Sequence, residues 1–457
     1  QRLRKSLADS LREATDDEAD DLHEQLARLE QAQISTLHSF CLRLVREHFH
    51  LLGIDPDVRV LDERQTRPLE ERVLEEMIRE HLSGRHGDSP AVQRLLRRYL
   101  GGNERSLGDW IRKIHRFART LADPDEWFDR ELAAADRDAA PHWEAWLAAD
   151  IRVWRAKWIP LLEPIRGENE FVEVALNTVT AIPSEGGIAE LSQAMSAVEK
   201  PARAWKRGTE KSLKDVVDPC YKEAAAYRRL LAGGGGKPGL AEDWNLVRHQ
   251  ITTLLGLARD FGSRFDLAKR ELGGIDFADQ EQLALQLLRD ESTGVAARCR
   301  ESFQQVFIDE AQDINHAQDG ILRAVSDGNR FIVGDVKQCI YQFRLTDPRI
   351  FGGYAREWAE AGGPGRTVAL VENFRSHEGV VDFVNGLFDS LMLPEVGDVD
   401  YRNTARLKFG ARTKRAAKTV AQDPPGRHRV EIALLATDPS ADPDDDDSSL
   451  LAIELEA

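Results

Sequence analysis

Two short apolar segments that each end in a carboxylate constrain the fold of this chain more than any other feature. Residues 306–308 run into Asp309, and residues 330–333 run, after one glycine, into Asp335. The residues between them, 317–325, carry apolar side chains at helical spacing. This order of strand, helix and strand predicts an α/β fold with a buried parallel sheet. Because ligands of such sheets bind at the carboxyl ends of the strands, both carboxylates are predicted to line a binding site.

Adjacent carboxylates follow the first of these strands. Of Asp309 and Glu310, one can face a Mg²⁺ ion while the other faces an attacking water, which are the two tasks that phosphoryl transfer requires. A bare Asp-Glu pair is more commonly a solvated acidic turn. Here Gln312 and Asp313 follow at once, and Gln338 stands three residues after the carboxylate of the second strand. This combination favours a site that hydrolyses a nucleotide.

The same residues carry a family resemblance. Asp-Glu-Ala-Gln-Asp at 309–313 resembles motif II of superfamily 1 DNA helicases of the UvrD/Rep type, and 333–344 resembles their motif III. Val-Lys before Gln338, and Phe343 where simpler helicases usually carry Trp, indicate the AddA/RecB branch. That branch supplies helicase-nuclease proteins that process double-strand breaks. The resemblance implies ATP and Mg²⁺ as cofactors, 3′→5′ movement on DNA, and a partner that is the second subunit of the helicase-nuclease.

The resemblance also implies roles for single residues at the nucleotide. Asp309 would hold Mg²⁺ through water, and Glu310 would be the general base. Gln312 would belong to the nucleotide site, and Gln338 would sense the γ-phosphate. Arg375 follows a predicted strand at 368–371 in a segment that resembles motif IV, so it would reach the γ-phosphate from a second motor domain.

Two further groups of residues are predicted to contact single-stranded DNA. Residues 34–49 indicate a strand leading into a helix with one apolar face. Its start resembles the family's Thr-x-His-x-Phe motif, which implies DNA contact for Thr36, His38 and Phe40; a capped core helix is the alternative. The second group follows Gln338 and consists of Tyr341, Phe343 and Arg344. Aromatic faces stack on bases without reading sequence, although both rings would be core residues in the alternative interpretation.

The net charge, the cysteines and the apolar runs of the chain limit the kinds of partner and environment that it suits. The formal net charge is −17, so any DNA contact, to single strands or to duplex, must use local basic patches. Basic stretches at 112–119 and 200–214 are either solvated helix faces or duplex contacts. The four cysteines are widely scattered, which argues against a zinc site or a disulfide framework and suits a reducing cytoplasm. No apolar run approaches the roughly 18 residues of a membrane span.

The phosphate-binding loop Gly-x-x-x-x-Gly-Lys-Ser/Thr is absent from the sequence. The nearest segment, 233–238, has Leu231 where the first glycine is needed, and Pro238 lacks the hydroxyl that would reach magnesium. We interpret it as a flexible linker. Because the chain starts at Gln1 within a helical pattern, we expect it to be an internal piece of a longer protein. This piece alone is expected to bind ATP weakly and not to hydrolyse it.

Together with these observations, the family resemblance implies a RecA-like parallel-sheet P-loop NTPase motor domain with a large all-helical insertion and the start of a second motor domain. Residues 1–60 and 261–360 would form the first motor domain, 61–260 the helical insertion, and 361–457 the start of the second motor domain. The predicted function is an ATP-dependent DNA helicase subunit of a helicase-nuclease. The alternatives are a stand-alone UvrD-like repair helicase and a non-catalytic DNA-binding scaffold subunit.

Overall fold

Helices make up most of the described chain, together with three two-stranded sheets. The computed structural model describes residues 2–12, 14, 16–85, 87–137, 142–202, 211–232, 239–360, 362–392 and 399–410. The chain divides into two units. The first unit comprises residues 1–306 and 315–329, and the second comprises 307–314 and 330–457.

The first unit is almost entirely helical. Its helices are α1 (Arg2–Leu11), α2 (Asp16–Gln31), α3 (Leu37–Glu47), α4 (Phe49–Leu52), α5 (Glu63–Leu82), α6 (Ser89–Tyr99), α7 (Glu104–Arg119), α8 (Pro124–Ala135), α9 (Trp143–Leu162), α10 (Glu170–Thr180), α11 (Ile188–Ser196), α12 (Lys211–Leu231), α13 (Gly239–Glu271), α14 (Phe277–Arg289), α15 (Val295–Ser302) and α16 (His316–Ala324). Strands β1 (Arg59–Val60) and β2 (Gly274–Ile275) pair in parallel. Side-chain caps define many helix starts, such as the capping box of Asp62 and Gln65 at α5.

Separate apolar clusters hold the first unit together. One joins α9, α10, α11 and α12, and another joins α5, α6, α7 and α8 to the second half of α13. A third packs α3 against α14, α15 and α16. The boundary predicted at 260 falls inside α13, which continues without a break to Glu271. The predicted insertion and the predicted second part of the motor domain therefore share one helix.

A buried ionic network ties the end of α13 to the start of α14. The Lys269 side chain is 1% exposed, and its Nζ lies 2.7 Å from Asp276 and 2.6 Å from Asp279. Asp266 lies 3.1 Å from the same Nζ, and Arg119 of α7 binds Asp279 at 2.5 Å. Burial lowers the pKa of the Lys269 ammonium, but the three carboxylates outweigh burial and raise this pKa above its ordinary value.

The second unit contains most of β3 and all of β4, the two strands that lead to Asp309 and Asp335. Its elements are β3 (Val306–Ile308, which begins in the first unit), β4 (Arg330–Ile332), α17 (Pro348–Ala359), β5 (Glu372–Asn373), α18 (Glu378–Leu391) and β6 (Lys408–Phe409). Strands β5 and β6 pair in parallel. A π-helical turn, Tyr401–Ala405, precedes β6.

Several strand predictions need correction. The sheet of β3 and β4 is not buried, because it has two strands among the described residues and the Phe307 side chain is 73% exposed. The strand predicted before α3 is absent from the described structure, where exposed Ile34 has no strand partner. The strand predicted at 368–371 lies instead at β5, immediately after it. Among the helices that the structure describes, none combines the length and the apolar character of a membrane-spanning segment.

Candidate active site

Strands β3 and β4 bring the two predicted carboxylate ends together. The backbone N–H of Val333 donates to the carbonyl of Ile308 at 2.8 Å, and the carbonyl of Val333 accepts from the N–H of Ala311 at 3.0 Å. A residue that bonds on both sides to one neighbouring strand is typical of parallel pairing. Asp309 and Asp335 therefore leave the same edge of the strand pair, as the sequence predicts.

Glu310 adopts a backbone conformation that is unusual for a residue other than glycine. Its φ of 52° and ψ of 41° lie in the left-handed region, which costs on the order of 1–3 kcal/mol for such residues. The conformation turns the chain from β3 into the 3-10 turn Ala311–Asp313. The N–H of Glu310 donates to Oδ1 of Asp309 at 3.1 Å. Both carboxylates remain exposed at the strand end.

The Gln312 side chain joins the two strand ends. Its Nε2 donates to Oε2 of Glu310 at 2.7 Å, and its Oε1 accepts from the N–H of Asp335 at 3.0 Å. The residue is 1% exposed. Both ends of its amide are thus engaged by protein, and the nucleotide contact of Gln312 stays a prediction. In this structure it orients the carboxylate of Glu310.

Because Gly334 has no side chain, Gln312 can occupy the space beside it. A Cβ atom at position 334 would lie 2.9 Å from Oε1 of Gln312 and 3.2 Å from its backbone nitrogen. Carbon atoms do not approach neighbours this closely without displacing them. The close approach of the two strand ends therefore favours a glycine before Asp335, and the backbone conformation of Gly334 is not the reason.

Asp335 organises the segment that follows β4. Its Oδ1 accepts from Nζ of Lys337 at 2.8 Å, and its Oδ2 accepts from Nε2 of Gln338 at 3.0 Å. Burial raises the pKa of the Asp335 carboxyl, but the hydrogen bonds and charge of its two partners outweigh burial and hold this pKa below its ordinary value. Lys337 is a site residue that the motifs did not predict, although a lysine two residues after a strand-end carboxylate was the available signal.

Tyr341, Phe343 and Arg344 form one exposed group, which we call the 341–344 cluster. The two ring centroids lie 6.1 Å apart, and Cζ of Arg344 lies 5.2 Å from the Tyr341 centroid and 5.6 Å from the Phe343 centroid. The Phe343 side chain is 76% exposed. The alternative that these rings belong to the core therefore does not agree with the structure.

Arg375 lies in the turn between β5 and α18. The side chain of Asn373 accepts from the N–H groups of Arg375 and Ser376, at 2.9 Å each, and so fixes this turn. The Arg375 side chain is exposed. Strand β5 and the turn thus present Arg375 at a strand end of the same unit that contains Glu310 and Gln338.

The three residues of the Thr-x-His-x-Phe segment lie at the start of α3, in the first unit. Thr36 caps α3, with its hydroxyl accepting from the N–H of Ser39 at 3.3 Å. The His38 ring is partly exposed and contacts the Phe277 ring edge-on at 5.2 Å. Phe40 is 8% exposed within the core, which does not match the DNA contact predicted for it. Thr36 and His38 keep exposed atoms.

The basic stretch at 112–119 is largely neutralised. Arg112 and Arg116 lie 3.9 Å and 3.4 Å from the carboxylate of Glu70, and Arg119 belongs to the buried network around Lys269. These pairs favour the interpretation as a helix face over duplex contact. Of the second stretch, residues 203–210 lie outside the described residues, as does the glycine-rich segment 233–238.

Comparisons with known proteins agree with the motif-based resemblance. The family model described as UvrD/REP helicase N-terminal domain matches residues 1–357. The A subunits of ATP-dependent helicase/nucleases from several bacteria are similar over most of the chain. The one from Moorella thermoacetica is 33% identical over 86% of this chain and 30% of its own length. The one from Geobacillus kaustophilus is 33% identical over 85% of this chain and 34% of its own length. The one from Bacillus licheniformis is 30% identical over 95% of this chain and 37% of its own length.

The chain spans about a third of the length of these curated relatives. The family model nevertheless covers the segment around Asp309 and Glu310 and the 341–344 cluster. The family predicted from residues 309–313 and 333–344 is thereby confirmed, and so is its similarity to the AddA type of helicase-nuclease. The chain belongs to the UvrD/REP helicase family.

Proposed function

We propose that the full-length protein is an ATP-driven DNA helicase subunit that moves 3′→5′ on single-stranded DNA. It would process double-strand breaks together with a second helicase-nuclease subunit. The observation that carries the proposed hydrolysis is the buried amide of Gln312, which bonds Glu310 and the backbone of Asp335 at once. This bond gives the acidic strand end one defined arrangement, as transition-state stabilisation requires.

Glu310 is the proposed general base. Its exposed carboxylate can accept a proton from a water molecule, while the 2.7 Å bond from Gln312 limits its rotation. Asp309, beside it, fits a hard divalent cation, because carboxylate oxygens are the ligands such ions prefer. Bound Mg²⁺ would supply charge neutralisation at the phosphates of ATP. Gln338 and Arg375 are proposed to bind the γ-phosphate.

The proposed architecture follows the family. The first motor domain would contain β3 and β4, residues 61–260 would be a helical insertion, and a second motor domain would start near residue 361. ATP would bind between the motor domains, and the phosphate-binding loop would come from outside residues 1–457. This chain alone is therefore proposed to be inactive as an ATP hydrolase.

The 341–344 cluster is proposed to bind single-stranded DNA, with Thr36 and His38 as further contacts. Base stacking on an aromatic face contributes roughly 1–3 kcal/mol per base without sequence preference. The cluster begins three residues after Gln338, so one short segment would touch both nucleotide and DNA. Such a segment offers a direct route for coupling hydrolysis to movement.

Replacing both Tyr341 and Phe343 by Ala tests this contact. Affinity for oligothymidine should fall by about 1–3 kcal/mol per lost stacking contact, with an unchanged salt dependence because stacking releases few counterions. Arg344→Ala should instead flatten the salt dependence if its guanidinium meets a phosphate. Fluorescence anisotropy at several salt concentrations measures both effects, and DNA-stimulated hydrolysis should fall more than basal hydrolysis.

Trp146→Ala is the matched control, since it truncates an aromatic side chain that is 64% exposed in the first unit. It should leave the DNA affinity of the full-length protein unchanged. A large loss of melting temperature in the double variant at 341 and 343, with basal and stimulated hydrolysis falling together, would show that the two rings support the fold and would remove the stacking proposal.

Gly334→Ala tests the role of the strand-end contact. The added Cβ would displace Gln312, whose amide sets the Glu310 carboxylate. Because misplacement of catalytic groups by about 1 Å costs up to about 100-fold in rate, kcat should fall by roughly 10- to 100-fold. The KM for ATP should change little. Steady-state hydrolysis with saturating DNA provides both constants.

Gly353→Ala is the control for this substitution. Gly353 lies in α17, and a Cβ there meets nothing within 4 Å. Its kcat should stay within about twofold of the unsubstituted protein, since alanine is also the better helix former. Equal kcat values for the two glycine variants would show that the Gln312 contact does not matter for hydrolysis.

Two alternatives remain as outcomes of direct tests. A non-catalytic scaffold protein would bind DNA but show no DNA-stimulated hydrolysis, even with the phosphate-binding loop present. A stand-alone repair helicase would unwind DNA without nuclease activity and without any second subunit.

Unwinding of partial duplexes with 3′ or 5′ single-stranded tails tests the polarity, and only the 3′-tailed substrate should be unwound. Unwinding of the 5′-tailed substrate alone would reverse the proposed direction.

A further inference from the structure

A buried carboxylate lies between the DNA-contact segment and the helix that follows motif II. Glu281 of α14 is 4% exposed, and the motor chemistry proposed above does not use it. Its Oε1 lies 3.1 Å from Nε2 of His38 and accepts from Nε2 of Gln318 at 2.7 Å. Its Oε2 accepts from Nδ2 of Asn315 at 3.4 Å. All four residues belong to the first unit.

The two amides fix the first turn of α16. Asn315 and Gln318 form its capping box, in which Oδ1 of Asn315 accepts from the N–H of Gln318 at 2.8 Å. The reciprocal bond runs from the N–H of Asn315 to Oε1 of Gln318 at 3.3 Å. Both amide oxygens thus face backbone donors, and both amide nitrogens face Glu281. The carboxylate therefore sets the orientation of both caps.

The His38 ring is the third group that faces the same carboxylate, with its Nε2 3.1 Å from Oε1. Its ring is partly exposed at the start of α3, beside the Phe277 ring, so a ligand can reach it from solvent. A buried carboxylate is costly unless its oxygens are bonded and its charge is compensated. If His38 moves or changes its bonding, Glu281 must rely more strongly on Asn315 and Gln318. The three contacts are coupled through one side chain.

We propose that Glu281 is a positioning residue that transmits DNA contact at His38 to the first turn of α16. This inference rests on the DNA contact of the proposed function. Asn315 follows Asp313, the end of the motif II turn, by two residues in the chain. A shift in the α16 caps therefore acts on the backbone that directly continues from Glu310 and Gln312.

Hydrogen exchange of the full-length protein with and without oligothymidine tests the inference. In the unsubstituted protein, DNA should slow exchange both in residues 36–41 and in residues 315–320, by about threefold or more in each. In Glu281→Gln, which keeps the shape but loses the charge and presents its own donors, DNA should still slow exchange at 36–41. The response at 315–320 should fall below about twofold.

Two further variants keep this test decisive. Glu291→Gln removes an exposed charge just beyond α14 and should preserve the full response. If Glu281→Gln loosens the whole unit, His38→Phe replaces it, because it removes both ring nitrogens, including the Nε2 that faces Glu281, and retains a ring beside Phe277. It too should abolish the response at 315–320. A response at 315–320 that survives in Glu281→Gln and in His38→Phe would overturn the inference.

Hydrolysis separates this inference from the proposed function. With Glu281→Gln, the rate at saturating oligothymidine should fall severalfold while the basal rate stays within about twofold, because the nucleotide residues are untouched. If the unsubstituted protein shows DNA-stimulated hydrolysis and the variant shows the same stimulation, only the role of Glu281 is wrong. If the unsubstituted protein binds no oligothymidine, the proposed function and the inference are both overturned.

Discussion

Replacing Glu310 by Gln in the full-length protein is expected to lower the rate of ATP hydrolysis by about 10²–10⁴-fold, the usual contribution of a general base. The amide keeps the size of the carboxylate but cannot take the proton of the attacking water. Nucleotide affinity should remain nearly constant, because the proposed γ-phosphate contacts of Gln338 and Arg375 are unchanged. Single-turnover hydrolysis and equilibrium binding of ATP measure the two quantities separately.

Glu357→Gln is the matched control for this substitution. Glu357 is an exposed glutamate of α17 in the same unit, so its replacement removes the same charge away from the strand end. Hydrolysis by this variant should equal that of the unsubstituted protein. Turnover by Glu310→Gln within about threefold of the unsubstituted protein would show that another group is the base.

Replacing Lys269 by Met is expected to cause the largest loss of local stability. The change removes the cation from three carboxylates, two of which lie within 2.7 Å of its Nζ. Breaking a buried ion pair by removing one partner costs about 3–5 kcal/mol, since the remaining charge is left uncompensated. Hydrogen exchange in residues 265–281 should become about two to four orders of magnitude faster, because each 1.4 kcal/mol corresponds to a factor of ten.

Lys157→Met provides the comparison with an exposed ion pair. Lys157 binds Glu223 at 2.9 Å, but its side chain is 51% exposed. Exposed pairs of this kind contribute about 0–1 kcal/mol, so exchange around α9 should change by less than about fivefold. If Lys269→Met costs no more than Lys157→Met, the carboxylates around Lys269 are stabilised by solvent or protonation rather than by its charge.

Local sequence signals predicted the parts of the fold that depend on neighbouring residues. The strands predicted at 306–308 and 330–333 and the helix predicted at 317–325 occur within one residue of these bounds, because apolar runs and helical spacing act within a few residues. Residues 61–260, which the sequence predicts to be helical, also contain helices, including α5, α7 and α9. Motif II and motif III were recognisable because phosphoryl-transfer chemistry requires particular residue types at fixed spacing.

Contacts between distant residues were not predictable in this way. The sequence shows Gln312 as one more polar residue of a motif, whereas its burial against Asp335 depends on strand pairing across more than twenty residues. Lys269 and Arg119 meet the same carboxylate, Asp279, although they lie 150 positions apart in the chain. The burial of Phe40 was likewise not predictable, since the core that it enters is built from the distant helices α14, α15 and α16.

The exposure of strands and the division of the chain also depend on tertiary structure. Apolar side chains at 306–308 predict a buried strand, but exposure depends on which elements cover both faces of the sheet. A boundary at 260 is plausible from composition alone, yet α13 continues through it because its second half packs against α5, α6 and α7. Helix continuity of this kind is decided by packing rather than by local sequence.

The rate of ATP hydrolysis by the full-length protein on single-stranded DNA of increasing length tests the central claim most directly. A motor that steps along DNA spends more of its time moving on longer strands. We therefore predict that the rate is low without DNA, rises with DNA length to a plateau, and is lost at every length in Glu310→Gln. Hydrolysis that is absent, or that is the same with and without DNA, would contradict the proposal that the full-length protein is an ATP-driven DNA translocase.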